Sequence, residues 1–264
     1  MRRWLPFVKT PPLVAVLRLE GSIGTGPRAI SDQAMAPLIE RAFRRGKPAA
    51  VALQINSPGG SPVQSSLIAS RIRRLAEETE TPVFAFVEDL AASGGYWLAA
   101  AADEIHVDRA SILGSIGVIA ATFGFPGAME KIGVERRVHT AGKAKSFLDP
   151  FRPEKPEDVA RLTELLDGMH EVFKSHVTDR RAGKLPQGED LFTGEVWIGQ
   201  GAIDKGLADG IGHLVPTMKA RFGDKVAFRR YAPRRPLLAR FGARIVDDAL
   251  DGLEERAARA RFGL

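Results

Sequence analysis

Four short apolar runs constrain this chain more than any other feature: LVAVLRLE (13–20), AAVALQIN (49–56), TPVFAFVED (81–89) and EIHVD (104–108). Near-continuous apolar runs of this length, bounded by Pro, Gly or polar residues, read as strands covered on both faces. Between them lie segments of helical periodicity. SDQAMAPLIERAFRRG (31–46) opens on a candidate cap, Ser31, and stops at a glycine. Residues 63–80 repeat apolar positions at Val63, Leu67, Ile68, Ile72 and Leu75, and AASGGYWLAAAA (91–102) is a turn running into an alanine-rich helix. Strands alternating with helices imply βαβ crossovers and a largely parallel sheet, an α/β fold.

Further along, VERRVHT (134–140) predicts another strand, followed by the loop AGKAKSFLDPFRPEKP. Residues 156–181 predict a long amphipathic helix with Val159, Leu162, Leu165, Leu166, Met169, Val172, Phe173 and Val177 on its apolar side. LFTGEVWIGQGAIDKGLADGIGHL (191–214) reads as a turn-rich segment with one short helix. After the break YAPRRP, residues 237–264 predict an amphipathic C-terminal helix. The organisation expected is a basic and aromatic segment at 1–12, a domain at 13–215, and a basic extension at 216–264. No internal repeat is visible.

The 264 residues include no cysteine, which excludes disulfides, thiolate catalysis and cysteine-held metals. The formal charge is +6, with arginine concentrated in residues 221–244. Such a cluster suits a solvated surface or an anionic membrane face, and no nucleic-acid reading motif accompanies it. No stretch approaches the ~20 consecutive apolar residues of a membrane span, and MRRWLPFVK lacks the apolar core of a cleaved signal. Cytoplasmic residence follows as an expectation, with the inner face of a membrane as a peripheral location. No metal-ligand spacing or nucleotide loop is present, so no cofactor is expected.

Chemistry concentrates where glycine meets a strand end. In NSPGGS (56–61), Gly59 and Gly60 let the backbone turn and direct amides at a bound oxygen. In AASGGYW (91–97), Ser93 stands between a strand and a helix start, with Gly94 leaving the next amide unobstructed. A nucleophile beside amide donors from two loops is what acyl transfer needs. Taken alone, Ser93 reads first as a helix cap, and the GxSxG elbow is missing. His106, His139, His170, His176 and His213 have no evident carboxylate partner, which disfavours a Ser-His-Asp triad. A lysine of lowered pKa is the other base available to a serine.

The ordered strings INSPGGS, AASGGYWLAAAADEIH, SILGSIGVI (111–119) and AGKAKSFLDPF (141–151), followed by GEVWIGQGAIDKGLADGIG (194–212), resemble the signal peptide peptidase A (S49) family of serine peptidases. The likeness runs from about residue 13 to 215 and points to the short, single-repeat form. It implies a crotonase/ClpP-like fold of repeated ββα units, here with a C-terminal helical extension. The resemblance makes Ser93 the nucleophile, Lys145 the general base with Lys143 its rival, and Ser115 the group orienting the lysine. Gly60 and Gly94 would supply oxyanion amides, with Gly59 shaping the substrate-binding turn. Ser57 and Ser61 remain turn residues.

It further implies a homo-oligomer with sites shared between protomers, acting on extended or apolar peptides such as signal peptide remnants. Family members carry an N-terminal membrane helix where this chain has only MRRWLPFVK, so Trp4, Leu5 and Phe7 with Arg2, Arg3 and Lys9 are candidates for an interfacial patch. Two other readings stay open: an acyl-CoA enzyme of the crotonase type, and a non-catalytic scaffold binding peptides or membrane partners.

Overall fold

The computed structural model describes residues 11–26, 29–233 and 256–264. It forms two compact units, Met1–Ile116 with Phe173–Leu264, and Gly117–Val172. The aromatic patch at residues 4–9 and most of the expected C-terminal helix lie outside the described residues; residues 256–260 form a helical turn.

The first unit is built on an eight-stranded sheet. Its strands are β1 (Leu13–Glu20), β2 (Ala50–Ser57), β3 (Val83–Ala92), β4 (Glu104–Val107), β5 (Ile112–Gly114), β6 (Val196–Ile198), β7 (Gly210–Ile211) and β8 (Ala227–Tyr231). The main path runs β6-β5-β3-β2-β1-β8, with β4 branching from β3 and β7 from β4. All pairings are parallel except β5 with β6. The fold is the α/β class expected from the four apolar runs.

Helices cover both faces, which is why the central strands are apolar throughout. On one face Ala15, Leu17, Leu19, Val51, Leu53 and Ile55 pack in the core that also takes Met35, Ile39 and Phe43 of α1 (Asp32–Arg44) and Ile68, Ile72 and Leu75 of α2 (Pro62–Thr79). On the other, Val14, Val16, Ala50, Ala52, Phe84 and Phe86 form a cluster with Met218. Alternate residues of one strand thus serve two cores, as period-two geometry dictates.

β3 forks. Its residues Phe84–Val87 pair with β4, whereas Leu90–Ala92 pair with β5. The fork carries the carboxyl end of β3, and α3 (Gly94–Ala100) after it, toward β5. α3 is anchored from α5 (Pro156–Arg180), whose last turns belong to this unit. Trp97 stacks with Phe173 at 4.7 Å and with His176 at 5.2 Å. His176 donates from Nε2 to the Trp97 carbonyl at 3.0 Å, and Arg180 donates to the carbonyls of Ala100 and Ala102. Burial dominates the His176 environment and pushes its pKa below the ordinary histidine value.

Arg181 is 1% exposed and donates to the Gly206 carbonyl and to both oxygens of Asp209, at 2.8, 2.8 and 3.2 Å. Burial pushes the Asp209 carboxyl up, but hydrogen bonds from Arg181 and Lys184 outweigh it and hold the group below the usual carboxylate range. This pair fixes the chain between α6 (Gln200–Asp204) and β7.

In the second unit, residues 134–140 form no strand, contrary to the alternation that suggested one. A strand exists only with a ladder partner, and none of the described residues supplies one. Arg136 instead donates to Asp149 at 3.1 Å and lies over the Phe151 ring at 5.2 Å. A short helix not anticipated from sequence, α4 (Pro126–Lys131), sits in this unit. α5 has the length expected, but only Phe173 and Val177 of its apolar side are buried; Leu165, Met169 and Val172 are exposed.

Residues beyond 215 complete α7 (Leu214–Phe222) and then provide β8, so part of the segment expected as an extension joins the main sheet. Among the described residues no helix is long and apolar enough to cross a membrane.

Candidate active site

Ser93 follows β3 and occupies the cap position of α3 with φ 51° and ψ −123°. A non-glycine residue in that region carries strain of order 1–3 kcal/mol and persists only where its surroundings enforce it. Here they do. The Ser93 amide donates to the Gly114 carbonyl at 2.8 Å, and the Ser93 carbonyl accepts from the Trp97 amide at 3.0 Å. Its side chain makes no cap hydrogen bond. The helix-cap reading of Ser93 therefore fails: the residue sits at the cap but its hydroxyl does no capping. The turn is a sharp strand-to-helix elbow, achieved without GxSxG.

The loop after β2 packs directly against this elbow. Gly59, at φ 99°, leaves no room for a side chain: a Cβ there would lie 2.8 Å from the Ala92 carbonyl, the Gly94 amide and the Ser93 Cβ. A Cβ on Gly94 would meet the Ser65 hydroxyl at 2.5 Å. Two glycines from separate loops are thus required for the loops to touch. The amides of Gly60 and Gly94 donate to no described residue. Ser57 is fully buried, donating to the Gly21 carbonyl and accepting from the Gly59 amide at 3.2 Å, while Ser61 caps α2. Ser57 thus closes β2 and Ser61 opens α2, where the sequence suggested turn residues.

Ser115 follows β5, and the pairing of Ala92 with Gly114 places Ser93 and Ser115 at the adjoining strand ends. It too has positive φ, 50°, and its amide donates to the Glu195 carbonyl at 2.6 Å. It lines a cleft of about 520 Å³ with Glu195, Val196, Trp197, Arg261 and Phe262. The C-terminal turn reaches this edge of the sheet, where Arg259 donates to Asn56 Oδ1 at 3.0 Å. Sequence reading did not anticipate that contact, for nothing in residues 256–264 marks a partner so far away in the chain.

The structure therefore gathers Ser93, Gly59, Gly60, Gly94 and Ser115 in the first unit. Lys143 and Lys145 belong to the second, both exposed, in a run of turns where the Lys145 amide donates to the Gly142 carbonyl at 3.2 Å. Contrary to the sequence reading, His213 lies 2.8 Å from Asp108 and His106 lies 3.3 Å from Glu104. The Asp108 carboxyl is held low by the Ala110 amide first and His213 second. No serine hydroxyl completes a triad, since the buried Ser111 donates to the Val87 and Glu88 carbonyls. Among the described residues, no group of acidic or histidine side chains could hold a metal ion.

Residues 76–221, which include Ser93, Ser115 and Lys145, match the model of peptidase family S49. This chain belongs to that family. Relatives of the S49 chain include a Brucella melitensis protein named Na(+)/H(+) antiporter NhaA, 47% identical over 286 aligned residues that take in 100% of this chain and 39% of that protein. The chloroplastic serine protease SPPA of Arabidopsis thaliana is 32% identical across 76% of this chain and 29% of its own length. This chain spans about two fifths of the first relative and less than a third of the second. Among solved structures, a mutant of the 1510-N membrane-bound stomatin-specific protease, in complex with a substrate peptide, covers 93% of this chain and 99% of its own at 13% identity and a TM-score of 0.47. The family match begins after Gly59 and Gly60, so the loop that braces the elbow is known from the geometry of this S49 chain.

Proposed function

We propose that this chain is a serine peptidase in which Ser93 attacks the peptide carbonyl and Lys145 acts as general base. The observation that carries the reading is the strained Ser93 elbow, its hydroxyl uncommitted to capping and its flank packed against Gly59. Uncapped, the hydroxyl is free for a base, and the undonated amides of Gly60 and Gly94 suit a developing oxyanion. In this scheme Lys145 takes the Ser93 proton as the Ser93 oxygen bonds to the carbonyl carbon. The tetrahedral intermediate collapses with the proton passing to the leaving amine. Water, deprotonated by the same lysine, then hydrolyses the acyl-enzyme. Ser115 would orient the lysine.

A lysine serves as a base only when enclosed away from bulk water. A second copy of the chain is proposed to provide that enclosure, a reading supported by the exposed apolar side chains of the second unit: Ile119, Phe123, Ile132, Leu165 and Val172. Extended, apolar peptides such as signal peptide remnants are the proposed substrates.

The test is hydrolysis of casein by purified wild type, Ser93→Ala and Lys145→Ala, with a serine-reactive probe on the same samples. Both variants are expected to lose turnover with the fold retained, and only Ser93→Ala to lose labelling outright. Turnover surviving in Lys145→Ala would remove that residue as base. Labelling surviving in Ser93→Ala would remove the nucleophile.

A further inference from the structure

A second cleft, of about 590 Å³, lies where α1 meets the edge strand β8. Arg41, Arg45, Arg229 and Arg230 line it, together with Tyr231 and Leu38. None of the four arginines forms an ion pair with a described residue. The nearby acids are engaged elsewhere: Glu40 by Arg44 and Arg74, and Asp32 by Arg71. Arg41 uses Nε on the Pro37 carbonyl at 2.8 Å, and Arg229 one Nη on the Arg45 carbonyl at 3.2 Å, which leaves most of their donors uncommitted.

The second observation is Tyr231. It is 6% exposed, yet its hydroxyl has no hydrogen-bond partner. A buried hydroxyl without a protein partner is disfavoured, and a water or a ligand atom in the adjoining cleft would satisfy it.

The side chains of Arg41, Arg45 and Arg229, on the face of the sheet that α1 covers, bring unneutralised charge to one cleft and would be relieved by an anion of several charges. Their forked donors match the oxygens of a phosphoryl group. β1 and β2 stand between β8 and β3, and neither α1 nor β8 is needed by the Ser93 elbow. α1 lies before the segment that matches the S49 model, and β8 after it.

We propose that this cleft binds a phosphoryl group, carried either by a soluble phosphate compound or by the headgroup of an anionic lipid. Calorimetric titration of the full chain with pyrophosphate is expected to show saturable binding, one site per chain. The Arg41→Ala/Arg229→Ala double variant should weaken it by about tenfold or more, since hydrogen bonds to charged groups are the strong ones. Tyr231→Phe, which keeps the packed ring, should weaken it by roughly tenfold or more, the range of one hydrogen bond to a charged group. Arg161→Ala, an exposed arginine on α5, and Ser93→Ala should bind as wild type.

Flotation with phosphatidylglycerol vesicles separates the sources. Flotation lost in the double variant assigns the lipid headgroup, and pyrophosphate binding without such flotation assigns a soluble ligand. Absence of saturable pyrophosphate binding, or binding unchanged in both the double variant and Tyr231→Phe, overturns the proposal.

Discussion

Adding one methyl group at Gly59 should disable Ser93 without replacing it. A Cβ at this position would lie 2.8 Å from the Ala92 carbonyl, the Gly94 amide and the Ser93 Cβ, about 0.6 Å short of the 3.4 Å at which ordinary contact begins. Two of those atoms are backbone and cannot swing aside. The φ of 99° adds strain of about 1–3 kcal/mol for any L side chain, and overpacking adds roughly 1–3 kcal/mol. Gly59→Ala is therefore expected to lower stability by about 2–6 kcal/mol. In the molecules that stay folded, the elbow must shift by several tenths of an ångström. Misplacement of about 1 Å costs on the order of a hundredfold in rate, so labelling of Ser93 should slow by roughly ten- to a hundredfold.

The control is Gly168→Ala, within α5, where a Cβ meets nothing within 4 Å. The same chemical change there should stabilise by about 0.5–1 kcal/mol, the helix penalty of glycine. Urea unfolding supplies the stabilities and time-resolved labelling with a serine-reactive probe supplies the rates. A folded Gly59→Ala protein that labels at the wild-type rate would refute the argument that this contact holds the elbow.

Asp209→Ala should cost about 3–5 kcal/mol, because it leaves the buried Arg181 charge uncompensated, and a chemical denaturation curve close to wild type would contradict that. Acidification should lower stability in two ranges. The His176 pKa is depressed, so its contribution is complete above the ordinary value of 6.5 and declines as pH falls through the lowered one. Asp209, likewise depressed, holds its contribution above the usual carboxylate pKa and loses it below about pH 4. His176→Phe should flatten the upper range in a melting-temperature profile against pH; an unchanged profile would assign that range to another group. Leu165→Glu with Val172→Glu should reduce the assembled mass seen by light scattering if a second copy covers α5, and an unchanged mass would locate the contact elsewhere.

Much of this protein was determined by local pattern. β1 runs over the residues its apolar string marked, α1 starts after the cap Ser31, and β2 ends just before Pro58 and the glycine pair, because burial on both faces and capping chemistry act over a few neighbours. The motifs around Ser93 and Ser115 were legible for the same reason: a strand end followed by glycine allows few backbone paths. What lay beyond local pattern was decided by partners distant in the chain. Whether Val134 to Thr140 became a strand depended on a ladder partner, and none of the described residues provides it. β8 is a strand because β1 offers it an edge, and three-residue β5 and β6 exist only by pairing. The apolar side of α5 looked like core in sequence, yet periodicity says only that a face is apolar, not what covers it.

The Ser93 conformation shows the division most clearly. Its residue type and glycine neighbours permit both a cap and an elbow. The choice came from the Gly114 carbonyl on β5 and from Gly59 in the loop after β2, since strain at one residue is sustained only by packing from elements that the chain brings together afterwards.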